Sequence, residues 1–335
     1  VGREDMKIDL FRSTTAGDEL KNFLEVMESG WWAQGAKVKE FEKEFAKLCG
    51  AKYAVATNSC TAALDIAVRI APLGKEVTVS PFTFISSALC VINAGKKVKF
   101  VDIDEYSMCT READIQVLYG GNDFGKGIIY DMAHSGGEKH KGLISCWSFH
   151  AVKNLPTGDG GMLTTNDPKL YRRAKALSWC GIDKNTFDRS GERYSWDYNI
   201  QEPGLKANMN DVTAAIGLAQ IKTVKERNAY RAKVAKWYDK YLSPSIKRPY
   251  PSKTWHLYTI RVPNRDGLYD YLAEKGISAG LHYKPLYKYP FLKTDEQFPV
   301  TEKVFKEIIS LPMHVELTEK DVKYVCDAIN TWISR

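Results

Sequence analysis

Apolar positions along this chain fall into two rhythms. Residues 36–49, AKVKEFEKEFAKLC, place Val38, Phe41, Phe45 and Leu48 on one side of a helix, and Gly50 stops it. YAVAT (53–57) reads as a short buried strand. NSCTAALDIAVRI then opens a helix, with Asn58 or Ser59 as N-cap. Further strands are predicted at 76–80, 97–103, 115–119, 127–131 and 143–149. Several are near-continuous apolar runs, as strands covered on both faces require. A helical pattern at 84–95, FISSALCVINAG, lies among them. This alternation predicts an α/β domain with a mostly parallel sheet.

Beyond about residue 167 the rhythm turns helical, over 167–179 and the long stretch 210–242. From about Lys247 a smaller unit is expected: strand 255–262, helix 265–276, strand 277–283 and two more helices. The last begins at Thr318, with Asp321 placed to complete a capping box. LSPSIKRPYP (242–251) reads as a hinge. The expected division is 1–241 for a large unit and 242–335 for a small one.

Composition narrows the class. The chain has 335 residues, 44% hydrophobic and 27% charged, ordinary for a soluble globular protein. No apolar run is long enough to span a membrane, and the first residues lack the apolar core of a signal peptide. The seven cysteines are an odd number without a C-x-x-C pair. They point to reduced thiols in a cytoplasmic setting and to no metal site. The net charge of +7 is dispersed, so a small anionic ligand explains it as well as nucleic acid does.

Candidate chemistry gathers where strands end, the usual place for ligands in open α/β sheets. Ser59, Cys60 and Thr61 sit at a strand-to-helix junction, where free amides and the helix dipole favour a phosphate. The same pattern also fits a plain helix cap. Asp131 follows an apolar run, so it needs a cationic or hydrogen-bonding partner, or else caps its own loop. Ser148 lies at the end of the next strand and Lys153 just beyond it, ahead of Gly158-Asp159-Gly160-Gly161. A phosphate cradle, a buried acid and a lysine suit pyridoxal 5'-phosphate (PLP). The cofactor needs a helix N-terminus for its phosphate, a carboxylate for its ring nitrogen and an amine for its aldehyde.

The order of motifs also resembles a known family. GWWAQGAKVKEFEKEFAKLCGAKYAVATNSCTAAL, VSPFTFISSA, VKFVDID, DMAHSGG, SFHAVKNLPTGDGGMLTTND, GLKANMNDVTAAIGLAQI and LPMHVELTEKDVKYV run in the sequence of the DegT/DnrJ/EryC1/StrS sugar aminotransferases. The resemblance extends over about residues 11–332. It implies PLP fold type I, the aspartate-aminotransferase-like fold: a large three-layer α/β/α domain with a smaller C-terminal α+β domain. It implies PLP on Lys153, carried between half-reactions as pyridoxamine phosphate, with Asp131 at the ring nitrogen. It also implies His134 beside the ring, Phe84 stacked on it, and Cys60, Thr61 and Ser148 at the phosphate. Lys206 or Asn208 would reach the phosphate of a partner subunit, giving a homodimer with shared active sites. Three features depart from the pattern. Only 122–126 remain where the family usually has a helical crossover, so a trimmed layer is expected near 119–127. Cys60 stands where glycine is common, and Cys180 where histidine is common.

The implied activity is transfer of an amino group from glutamate to a nucleotide-linked keto-sugar. The form of GLKANMND favours a 4-keto-6-deoxyhexose, with the 3-keto isomer as alternative. A same-fold dehydratase would carry histidine in place of Lys153. A non-catalytic PLP or sugar-nucleotide binding protein would not need the lysine–acid pair. Cations and aromatics for the substrate are expected outside the PLP pocket: Lys184, Arg189, Arg193, Tyr194 and Trp196 in one loop, and His256, His282, Tyr283 and Lys284 in the small unit.

Overall fold

Strand alternation sorts the side chains of one sheet onto two cores. A computed structural model describes residues 7–183, 186–190 and 197–334. In it β1 (Tyr53–Thr57), β2 (Glu76–Val79), β3 (Lys97–Phe100), β4 (Ile115–Val117), β5 (Ile129–Asp131), β6 (Ile144–Ser148) and β7 (Gly161–Thr165) form one sheet, in the order β1-β7-β6-β5-β4-β2-β3. Neighbours are parallel except at β7, which runs antiparallel to both β1 and β6. Val55, Ile129, Ile144, Cys146 and Leu163 point to one face, and Ala54, Ala56, Tyr130, Trp147 and Met162 to the other.

Helices cover both faces. The first core takes α3 (Cys60–Ile70), α4 (Ser86–Asn93) and α5 (Pro168–Ser178). The second takes α2 (Ala36–Cys49) and the N-terminal half of α7 (Asp211–Tyr241), while α1 (Glu19–Ser29) packs on α7. A short α6 spans Thr186–Arg189. The result is the expected three-layer α/β/α arrangement with a mainly parallel sheet, as in PLP fold type I. The predicted helix 36–49 and the Ser59 cap are both present, with Ser59 Oγ accepting from the Ala62 amide at 3.2 Å.

A second sheet pairs β8 (Tyr258–Arg261) with β9 (Ile308–Leu311), antiparallel. Around it pack α8 (Arg265–Glu274), α10 (Glu319–Ile333) and the end of α7, through Val234, Ala235 and Tyr238. The helix α9 (Pro299–Glu307) leads into β9. The capping box is complete: Thr318 Oγ1 accepts from the Asp321 amide, and Asp321 Oδ2 accepts from the Thr318 amide.

Several local expectations change. Residues 277–283 form no continuous strand; they reach Ile8 and Ser310 through single bridges at Ile277 and Gly280. The ladder partner of β8 is instead β9, which the sequence did not distinguish from the end of a helix. In the stretch 242–251, Leu242 and Ile246 lie in the core around β8 and β9, and Lys247 pairs with Arg261 through a single bridge. The trimmed crossover is present. β4 and β5 are direct parallel neighbours, and 118–128 hold one 3-10 turn, Tyr119–Gly121, and no α-helix. Segment 252–257 packs on this turn instead. Ser252 Oγ donates to the Gly120 carbonyl at 3.0 Å, and a Cβ on Gly121 would fall 1.9 Å from Thr254 Oγ1.

Candidate active site

The C-terminal ends of β5 and β6 and the N-terminus of α3 open on a cavity of about 410 Å³. Lys153 enters it from the link between β6 and β7. That link folds back on itself: the Ala151 amide donates to Gly158 O and the Phe149 amide to Gly160 O, both at 2.9 Å. Gly158 has φ +90°, a conformation open to glycine, and this explains the glycines after the lysine. Asn154 and Leu155, next in the chain, are buried, so the lysine stands on a fixed base.

Asp131 closes β5 and is 6% exposed. Ser87 donates its hydroxyl to Oδ2 at 2.8 Å, and the Ala133 amide donates to Oδ1 at 3.1 Å. Burial nonetheless raises its pKa, against the pull of these donors and of Lys153. Burial acts in the opposite sense on the lysine and brings its pKa down to about 8, opposed by the Asp131 charge.

Aromatic and imidazole groups line the remaining wall. His134 Nδ1 accepts from the Gly120 amide at 3.1 Å, and its Nε2 is 3.0 Å from the Tyr283 hydroxyl. Tyr283 also lies 6.3 Å from the ring of Phe84, which lines the cavity and is half open to solvent. Phe11 lines it as well and stacks on His256 at 5.5 Å. His256 Nε2 lies 3.3 Å from Lys153 Nζ.

The phosphate end is built on α3. Ser59 satisfies the Ala62 and Ala63 amides, and Cys60 and Thr61 begin the helix at the cavity wall. Thr61 Oγ1 and Ser86 Oγ are 2.7 Å apart. Gly161 packs under this turn so closely that a Cβ there would sit 2.3 Å from the Ser59 carbonyl carbon. Burial pushes the Cys60 thiol well up, so it is a neutral wall. A buried acid, a lysine of lowered pKa and a helix N-terminus around one cavity fit PLP.

The cavity therefore gathers Lys153, Asp131, His134, Phe84, Cys60, Thr61 and Ser148 as expected, and also His256, His282 and Tyr283. These last three were expected outside the PLP pocket. They line the same cavity as Lys153, and His256 does so because the 252–257 segment packs on the shortened crossover. Lys284 does not line the cavity; its amine lies over the Tyr289 ring. Lys206 and Asn208 are bonded to each other at 2.9 Å and do not line their own chain's cavity. Arg189 lies over the Tyr198 ring, away from it. Lys184, Arg193, Tyr194 and Trp196 lie outside the described residues. Sequence reading missed Ser87, Phe11 and Asn154. Ser87 had a signal, standing in the FISSA turn that opens α4 beside the strand ends.

Comparison with known proteins agrees with this geometry. The model of the DegT/DnrJ/EryC1/StrS aminotransferase family matches residues 13–120 and 121–330. The chain is similar to the spore coat polysaccharide biosynthesis protein SpsC of Bacillus subtilis (strain 168): 32% identity over 363 aligned positions, covering 93% of each chain. Its fold is similar to the crystal structure of AtS13 from Actinomadura melliaura, with TM-score 0.87, 28% identity and coverage of 98% and 100% of the two chains. It is also similar to the PLP form of Spr1654 from Streptococcus pneumoniae, with TM-score 0.85, 25% identity and coverage of 97% and 98%. Matched by the family model over nearly its whole length, and folded as these relatives are, the chain belongs to the DegT/DnrJ/EryC1/StrS family of PLP-dependent sugar aminotransferases.

Proposed function

We propose that this enzyme moves an amino group from glutamate to a nucleotide-linked keto-sugar, a 4-keto-6-deoxyhexose. The observation that carries the reading is that Lys153 and Asp131 line one cavity together with the first turn of α3. The likeness to a spore coat polysaccharide biosynthesis protein supports a sugar as acceptor. In this reading 1–241 bind the cofactor and 242–335 form the smaller unit. The active form is a cytoplasmic homodimer, in which Lys206 or Asn208 serves the partner's phosphate site.

Bound PLP supplies an aldehyde that amines can join and a ring that takes up an electron pair. Asp131 holds a proton at the ring nitrogen, and Ser87 and Ala133 fix which way its oxygens face. The Cys60 and Thr61 amides hold the phosphate. With a pKa of about 8, Lys153 Nζ is divided between amine and ammonium near neutral pH, so it can both take and return a proton. Phe11 and Phe84 give the cavity apolar walls.

The test is turnover. Enzyme with PLP, glutamate and both 3-keto and 4-keto nucleotide sugars should give a product aminated at C4, read by mass and NMR. Amination at C3 alone moves the ketone; turnover of free keto acids alone removes the sugar. Borohydride should fix the cofactor to Lys153, and failure to do so removes the lysine assignment.

A further inference from the structure

One buried imidazole has no task in this scheme. His256 is 2% exposed, and its ring is held on several sides. Phe11 stacks on it with an interplanar angle of 9°, and the His134 ring lies 4.3 Å away. Its Nδ1 is 3.2 Å from Asn154 Oδ1, and its Nε2 is 3.3 Å from Lys153 Nζ.

The hydrogen bonds around Asn154 decide which nitrogen of His256 carries the proton. Asn154 Nδ2 donates to the Thr254 carbonyl and to Asn228 Oδ1, both at 2.8 Å. A carbonyl can only accept, so the atom facing Thr254 is the amide nitrogen, and Oδ1 faces His256. Oδ1 in turn can only accept, so the proton of His256 lies on Nδ1. Nε2 is left with a lone pair directed at Lys153.

We propose that His256 is a positioning residue whose Nε2 accepts an N–H from Lys153 Nζ and holds this amine whenever it is not bonded to the cofactor. The catalytic consequence rests on the PLP reading; the hydrogen bond itself belongs to the cofactor-free chain. A lysine that must leave the cofactor and return would otherwise be drawn to Asp131 as an ion pair. That would occupy the carboxylate needed by the ring nitrogen. No proton passes to His256, because burial and the cations Lys153 and Arg231 keep its pKa well below the usual range. The other groups acting on Lys153 are Asp131 on β5 and Cys60 on α3, and Lys153 in turn acts on His134 and His282.

A neutral acceptor bonds an ammonium more strongly than an amine, so it favours the charged lysine. Removing it should lower the pKa of Lys153. The experiment is acylation of the apo enzyme across about pH 6 to 10, with Lys153 modification read by peptide mass. Wild type should give a midpoint of about 8. His256→Phe should move it down by about one pH unit, a tenfold gain in free amine on the acid side. His256→Gln, which keeps an acceptor, should restore most of the midpoint. A midpoint that stays or rises in a His256→Phe protein with the wild-type circular dichroism overturns the proposal. Neutron diffraction from crystals of the perdeuterated wild-type apo enzyme is an independent test: a deuteron on Nδ1 is expected, and one on Nε2 overturns it. PLP uptake is scored separately, so a protein that takes up no PLP removes the cofactor reading without touching either result.

Discussion

Ser87 Oγ donates to Asp131 Oδ2 at 2.8 Å and so ties the first turn of α4 to the last residue of β5. The bond sets the orientation of the carboxylate and stabilises its charge. It works against burial, which favours the neutral acid.

Ser87→Ala should therefore raise the pKa of Asp131 further. The carboxylate is the form needed at the ring nitrogen, so the acid limb of the kcat–pH profile should move to higher pH. A loss of about 1–2 kcal/mol in PLP binding, roughly tenfold in Kd, is expected near neutral pH. Fluorescence titration of the apo enzyme with PLP measures it; an unchanged Kd and acid limb would show that Ser87 only packs.

Asp131→Asn should separate activity from stability. Loss of the charge should cost kcat about a hundredfold or more. The sign for the apo fold is opposite. Asp131 has a raised folded pKa, so the folded state binds more protons than the unfolded one. Its contribution to stability is full below the unfolded carboxyl range and is lost as pH rises through the folded pKa. The apo variant should thus gain Tm over wild type at pH 7 and gain less at pH 4. Equal change at both pH values contradicts the strained charge.

Gly161→Ala tests the cradle. The added Cβ would meet Ser59 and the Cys60 amide nitrogen within 2.5 Å, all backbone atoms. The turn opening α3 must move, at a cost of about 1–3 kcal/mol. PLP affinity should fall with the Tm, and a crystal structure should show the displaced turn. Wild-type PLP affinity in this variant would separate the phosphate site from α3.

Asp211→Ala should destabilise without touching the cavity. The carboxylate, 4% exposed, accepts from the amides of Gly35, Lys37 and Val38, so the first residue of α7 caps α2. Its loss strands these donors, two of them buried, and about 2–4 kcal/mol should disappear from unfolding in urea at an unchanged m-value. A shift below about 0.5 kcal/mol would mean that water replaces the cap.

The parts of the site legible in the sequence were those with a local cause. An acid after an apolar run, a lysine before glycines and a Ser-Cys-Thr turn each carry their reason within a few residues. What the sequence hid comes together from a distance. Phe11 comes from near the N-terminus to stack on His256, and no local pattern marks a residue for so remote a neighbour. The strand β7 was hidden by its position: its residues follow a glycine cluster, and all five are buried, so they show no alternation. The helix α1 was hidden because only Val26 is buried and Leu20 and Leu24 face outward.

The short 118–128 link has a consequence for the order in which the molecule assembles. Parallel strands usually wait for a long connection to close, and that search slows folding. Here Val117 finds Asp131, and Ile115 finds Ile129, across a brief loop in the middle of the sheet. The pairing of Tyr53 with Thr165 at the sheet's edge must instead await most of the large unit. Refolding followed by pulsed hydrogen exchange should protect β4 and β5 first and β1 last. The carboxylate at the centre of the site would then be among the first functional groups to reach its place.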